Sequence, residues 1–513
     1  MSDSLFHAWA RCADKYADRQ LATTPAGVEL TYGGALAASA RLATRLRRAG
    51  LGPTQRLAAQ PAKSVQMLVL YLACLRLGGV YLPLNPAYTA HELRYFLDDA
   101  EPCVAITASA DSPMMALAQE RGIACYTLET DGGGTLFQGL EAEAPMTGAV
   151  EGLDSSSLAA ILYTSGTTGR PKGAMLTHGN LLSNAQALIT TWQFTEADVL
   201  LHALPVFHTH GLFVACNVCG LSGARMHFLE RFDVEQVMRA LPVCNTLMGV
   251  PTFYSRLLAH PDFDQAHTSH VRLMISGSAP LSAETHQAVA QQTGHSVLER
   301  YGMTEANMIA SNPYEGPRIP GSVGMPLPGI HVRVVDRETN QPLPANAVGM
   351  LEVRGPNVFK GYWNMPEKTA QELREDGFFI TGDLGFIDDA GVIRIVGRDK
   401  ELIISGGYNI YPREVENSLD ALPTVVESAV FGVPHPDMGE AVVAAVVPAG
   451  GQMIDAETIR QQLEGQLARY KHPRAVVPVQ ALPRNAMGKI QKTRLQEAHG
   501  AMFQRLHPDR PRI

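Results

Sequence analysis

Tyr163-Thr164-Ser165-Gly166-Thr167-Thr168-Gly169-Arg170-Pro171-Lys172-Gly173 follows an apolar run, Leu158 to Leu162, that reads as a short buried strand. The segment is rich in glycine and hydroxyl side chains, and it ends in two cations, Arg170 and Lys172. Such a loop leaves backbone N–H groups free to face an anion, which makes it a candidate polyphosphate cradle. A P-loop ends in Gly-Lys-Ser/Thr, whose hydroxyl holds magnesium. Here Gly173 follows Lys172, so that scheme fails. A nucleotide held by this loop is held in another way.

Two later segments share the design of an apolar strand delivering a small or polar loop. Val271–Ile275 leads into Ser276-Gly277-Ser278-Ala279-Pro280, and Ser296–Leu298 leads into Glu299-Arg300-Tyr301-Gly302-Met303-Thr304-Glu305. In open α/β sheets ligands gather at this edge, so three such loops predict a nucleotide crevice. Upstream, Leu36–Arg48 reads as an amphipathic helix, Ser64–Leu77 as a helix and Val80–Leu84 as a strand. The alternation predicts an α/β domain whose sheets are covered by helices. From Val348 the chain turns β-rich, with a hairpin at Asp388-Asp389-Ala390-Gly391. The polar stretch Gly397-Arg398-Asp399-Lys400 then separates two apolar runs. We therefore expect a large domain over 1–397, a hinge at 398–401 and a small α+β domain over 402–513. In the tail we expect a helix entered at Pro412, strands near Val425–Val433 and Ala441–Val447, and a helix from Glu457 to Tyr470.

The 513 residues exceed one core's capacity, and 46% apolar with 18% charged residues is an ordinary globular balance. A net charge of −8 gives no reason to expect nucleic acid or an anionic membrane as a partner. Met67–Leu75 is too short to span a bilayer, and the N-terminus lacks the pattern of a secretory signal. Seven unevenly spaced cysteines make no disulfide framework, so a reducing cytoplasm is the expected location. Cys216 and Cys219 lie in an apolar stretch and are expected to be packing residues rather than a redox or metal pair.

Five motifs occur in order: Tyr163–Gly173, Tyr301–Glu305, Thr381-Gly382-Asp383, Gly397–Lys400 and Pro483–Lys489. Together they resemble the adenylate-forming superfamily of acyl-CoA synthetases, adenylation domains and luciferases. The resemblance implies that a carboxylate attacks the α-phosphorus of ATP and that a thiol, that of CoA, then displaces AMP. Thr164, Ser165, Gly166, Thr167, Thr168, Gly169 and Lys172 would hold the β- and γ-phosphates. Glu305 would coordinate Mg²⁺, and Thr304 would touch the α-phosphate. Ser278, Ala279, Pro280 and Tyr301 would line the adenine. Asp383 would accept the ribose hydroxyls with support from Arg398. Lys489 would be the adenylation lysine, completing the site when the domains close, and Lys400 the hinge.

The choice of acid centres on Arg300, read as part of a loop reaching between nucleotide and acyl pocket. A cation there favours a second carboxylate on the substrate; the alternative is that it serves backbone carbonyls or phosphate. The sequence around Arg300, with Leu82–Thr89 and His208–Phe213, resembles malonyl-CoA synthetases. That implies malonate or a 2-substituted malonate, with Thr209 and Met303 crowding its second carbon. His208 matches a position near the acyl site, His210 reads equally as a packed histidine, and Arg231 sits where a basic residue is also expected. A short-chain or aryl monocarboxylate ligase, or an adenylation protein loading a carrier protein, are the alternatives. No obligatory protein partner is evident.

Overall fold

The structure, a computed structural model, describes residues 3–164, 171–406, 408–451, 455–464, 466–485 and 488–503. Ser165, Gly166, Thr167, Thr168 and Gly169 of the expected cradle lie outside the described residues.

Among the described residues the strands form four sheets. A six-stranded sheet runs, in spatial order, Ala124–Thr127, Val104–Thr107, Arg56–Gln60, Val80–Pro83, Leu158–Thr164 and Lys172–Thr177. It is parallel except for its last pair. A nine-stranded sheet has a parallel centre that includes Leu273–Ser276 and Leu298–Met303, and antiparallel strands at both edges. A four-stranded antiparallel sheet spans His331 to Arg398. The small domain carries the fourth sheet, dominated by the long hairpin Val425–His435 and Gly439–Pro448.

The helix Gln66–Arg76 is buried from Met67 onward, which explains its continuous apolar run. Cys216 and Cys219 are buried free thiols, as expected of packing residues. The apolar cores divide where the polar stretch interrupts the chain. Those of the large region reach Ile395, and the two that flank the small sheet begin at Ile403. No described helix is long and apolar enough to cross a membrane.

Two expectations fail in detail. Glu299 to Met303 are not a loop: they continue the strand Leu298–Met303, which pairs antiparallel with Asn307–Ser311 through a bulge after Tyr301. Arg300 is therefore held by a sheet. The helix expected over Glu457–Tyr470 ends at Leu463, because Glu464 adopts extended backbone (ψ 129°), and a short 3₁₀ turn at Arg469–Lys471 follows.

Candidate active site

The expected phosphate side lies between two antiparallel strands. Leu158–Thr164 is answered by the antiparallel strand Lys172–Thr177, with Thr164 opposite Lys172. The Lys172 ammonium lies 3.0 Å from the Tyr362 hydroxyl and 3.3 Å from the Glu372 carboxylate. That hydroxyl in turn lies 3.0 Å from Glu305 Oε1 and 2.6 Å from Glu372 Oε2. One phenol thus links the phosphate-loop cation to the expected metal carboxylate. Glu305 is 6% exposed, and burial raises its pKa against the opposing pull of Lys172 and Arg398. Its turn is fixed from two sides. Asn184 bonds the Met308 N–H and carbonyl, Asn357 bonds the carbonyls of Ala306 and Met308, and the Phe359 N–H bonds the carbonyl of Glu305 at 2.8 Å.

At the ribose side, Asp383 lies in the strand Phe379–Ile387, directly opposite Arg398 in the register. Gly382 takes φ +71°, a left-handed conformation that suits glycine, just before the carboxylate. Thr381 donates to the Leu351 carbonyl at 2.8 Å and accepts the Asp383 N–H at 3.0 Å. The two Asp383 oxygens are both engaged: Tyr301 donates its hydroxyl to Oδ2, and Arg398 Nε lies 2.6 Å from Oδ1. The carboxylate holds the guanidinium above its usual pKa.

The small domain reaches this corner through Lys489. Lys489 keeps exposed surface, yet the cleft around it desolvates the ammonium and lowers its pKa; Arg398 lowers it further, and Asp383 and Glu401 pull the other way. Gly488, at φ +75°, lies so close to the large domain that a Cβ there would meet Thr252 Oγ1 at 3.2 Å.

Arg300, expected at the acyl side, is 5% exposed; its Nε and Nη2 have no hydrogen-bond partner among the described residues. Burial lowers its pKa to about 9. The reading in which these donors serve backbone carbonyls is not met. The guanidinium lies over Gly277, where a Cβ would come within 2.2 Å of Arg300 Cζ. Close by, Thr209 Oγ1 and His210 Nε2 are also buried without partners among the described residues, and His210 Nδ1 lies 3.4 Å from Ser278 Oγ. Burial, then the cations Arg300 and Lys489, push the His208 pKa down to about 4, which keeps that imidazole neutral near pH 7. Met303 and Thr304 are half-buried at the end of the Arg300 strand.

Ala279 is half-buried and Pro280 exposed. Arg231 is exposed, unlike buried Arg300; Phe232 beside it stacks on Phe253. Lys400 is exposed between two anchored neighbours. Asp399 meets Arg337 of the large domain at 2.6 Å, and Glu401 meets Lys492 of the small domain at 3.2 Å. Sequence reading missed Tyr362 and Glu372, which lie about 200 residues from Lys172 and carry no local pattern. It also missed the room that Gly277 makes, although a glycine just after a strand signals close approach.

The fold is that of an adenylate-forming enzyme, a large domain with a small one whose Lys489 comes within the field of Asp383 and Arg398. The chain belongs to the AMP-binding enzyme family: residues 9–363 match that family, and residues 414–489 match the AMP-binding enzyme C-terminal domain. It is 36% identical over 470 residues to the mitochondrial malonate–CoA ligase ACSF3 of Bos taurus, covering 84% of this chain and 79% of the relative. It is 34% identical over 507 residues to a long-chain-fatty-acid–CoA ligase of Bacillus subtilis, covering 92% and 90%. Among solved structures, ATP-bound MatB from Rhodopseudomonas palustris is 51% identical with a TM-score of 0.94, covering 98% of this chain and 100% of that one. Its apo form, at the same identity and coverage, gives 0.84.

Proposed function

We propose that this protein is an acid–thiol ligase that activates malonate as an acyl-adenylate and transfers the malonyl group to CoA. The observation that carries the choice of acid is Arg300. A buried guanidinium with two unpaired donors is costly unless a ligand supplies an anion, and malonate has a second carboxylate to give. A fatty or aryl monocarboxylate would leave that cation uncompensated. Thr209 and Met303 border the same pocket and limit any substituent on the second carbon, so methylmalonate is the next acid in line.

The reacting carboxylate attacks the α-phosphorus of ATP and pyrophosphate departs. Lys489 supplies positive charge where negative charge develops, beside Asp383 and Arg398. Lys172 and the loop from Thr164 hold the departing phosphates, and Thr304 borders the α-phosphate. Tyr301, Ser278, Ala279 and Pro280 border the base, and Asp383 takes the ribose. Neutral His208 borders the reacting carboxylate, positioned without adding charge.

A bound Mg²⁺ would neutralise charge on the phosphates. Glu305 fits that ion: it is a buried carboxylate beside the phosphate cation, and no group of three or more His, Cys, Asp or Glu among the described residues offers a protein-only cage. Magnesium commonly takes one or two carboxylates and completes its shell with substrate phosphates and water.

Residues 1–397 and 402–513 are the two bodies, with 398–401 between them. Rotation about Lys400, between the anchored Asp399 and Glu401, would withdraw Lys489 and admit the CoA thiol. The greater likeness to ATP-bound than to apo MatB supports reading the present placement of the small domain as the adenylating one; it concerns the position of the domain and not what Lys172 touches.

Pyrophosphate release across a panel of mono- and dicarboxylates, with CoA or with hydroxylamine as acceptor, tests the reading. Malonate should lead, with CoA as the productive acceptor. Faster turnover of butyrate or benzoate would overturn the choice of acid. Adenylate formation without thioester formation would overturn the ligase.

A further inference from the structure

Lys172 is expected to meet phosphate, yet here it has a protein partner. Glu372, on the short helix Pro366–Glu372, places both carboxylate oxygens 3.3 and 3.4 Å from the Lys172 ammonium. The same carboxylate is held more closely from its own helix: Lys368, one turn earlier, lies 2.8 Å from Oε1. The Tyr362 hydroxyl lies between, within hydrogen-bond reach of Lys172, Glu372 and Glu305 at once. Glu372 therefore has a near cation that it keeps and a farther one that it shares.

We propose that Glu372 is an internal stand-in for phosphate, occupying Lys172 in the nucleotide-free enzyme and yielding it to the polyphosphate of ATP. When ATP enters, the Lys172 ammonium exchanges a carboxylate for phosphate oxygens, and Lys368 retains Glu372 so that no carboxylate is stranded. When pyrophosphate leaves, Glu372 recaptures Lys172 and lowers the cost of release. Glu372 and Lys368 are positioning residues that act through Lys172. The inference rests on the reading of Lys172 as a phosphate ligand and is independent of which acid is used.

Two substitutions with opposite expected signs test it. Glu372→Gln removes the competing charge, so ATP should bind about three- to fivefold more tightly, as expected for a partly exposed ion pair, and pyrophosphate should inhibit at correspondingly lower concentration. Lys368→Met leaves Glu372 leaning on Lys172, so ATP should bind about threefold more weakly. ATP affinity is measured calorimetrically without acid or CoA, and pyrophosphate as a product inhibitor. A merely structural Glu372 would lower thermal stability without tightening ATP. Unchanged or weaker ATP binding in Glu372→Gln, or both variants shifting the same way, would overturn the proposal. Either result leaves the acid panel unaffected, so the two readings fail separately.

Discussion

At Asp383 both carboxylate oxygens already have donors, Tyr301 and Arg398, whereas at Arg300, one residue before Tyr301, two guanidinium nitrogens have no acceptor among the described residues. Successive strand residues face opposite ways, so one short strand serves both corners. The ribose corner is a closed circuit that supports the fold with or without a ligand. The acyl corner is an open one, a buried cation kept at the expense of stability until an anion arrives. On the proposed function, completeness without ligand marks the part that would position the nucleotide, and incompleteness the part that would select the acid.

The largest effect belongs to the residue that joins the corners. Lys489 feels Asp383 and Arg398 on one side, and its charge reaches His208 on the other. Lys489→Ala should slow adenylate formation about 10³-fold, the upper range for removing one charge-stabilising group. Thioester formation from preformed malonyl-AMP should stay within a fewfold of wild type. Equal loss in the two half-reactions would mean that Lys489 holds the fold of the cleft rather than the transition state.

The two corners should part company on stability. Arg300→Leu should lower kcat/KM for malonate about 10²-fold while leaving the thermal midpoint unchanged or higher, because an unpaired buried cation is gone. Asp383→Asn should lower the unfolding free energy by about 1–3 kcal/mol, seen as a lower midpoint, since Arg398 keeps its place beside a neutral partner. If Arg300→Leu destabilises as much as Asp383→Asn, the open circuit is an error of interpretation. Gly277→Ala offers a gentler probe of the same point. Its new Cβ would press on Arg300 Cζ, so malonate use should fall about tenfold through KM while ATP binding holds.

The sequence carried the ribose corner well because its parts sit in short, ordered motifs: Thr381-Gly382-Asp383 and Gly397-Arg398 face each other across one hairpin. Arg300 was legible as a cation in a suggestive place, but not as a strand residue, because the antiparallel partner Asn307–Ser311 sets its orientation from beyond a turn. Tyr362 and Glu372 were illegible. Their role comes from tertiary closure onto Lys172, and nothing in Gly361-Tyr362-Trp363 or in a short polar helix announces it. The end of the helix at Leu463 was missed for the opposite reason: local apolar spacing continued where the backbone did not.

Glu299 sharpens the comparison through pH. It precedes Arg300, points to the opposite face, and accepts the Gly321 N–H at 3.2 Å, with Arg413 of the small domain in its field. Burial nevertheless wins and lifts its pKa to about 7. A carboxyl that ionises near 4.3 when unfolded but near 7 when folded holds an extra proton in the native state between those values. Its contribution is therefore full below about pH 4.3 and declines as pH rises toward 7. Glu299→Gln cannot lose that proton, so the stability of the variant relative to wild type should improve from pH 5 to pH 8 by about 1–3 kcal/mol. The buried neutral histidines His178, His202 and His208 destabilise both proteins equally on acidification and cancel in the difference. Thermal midpoints of both proteins at the two pH values give the answer. A gap that does not move would mean that Arg413 and the Gly321 N–H keep Glu299 ionised, placing a closed circuit on the far face of the very strand that presents the open one.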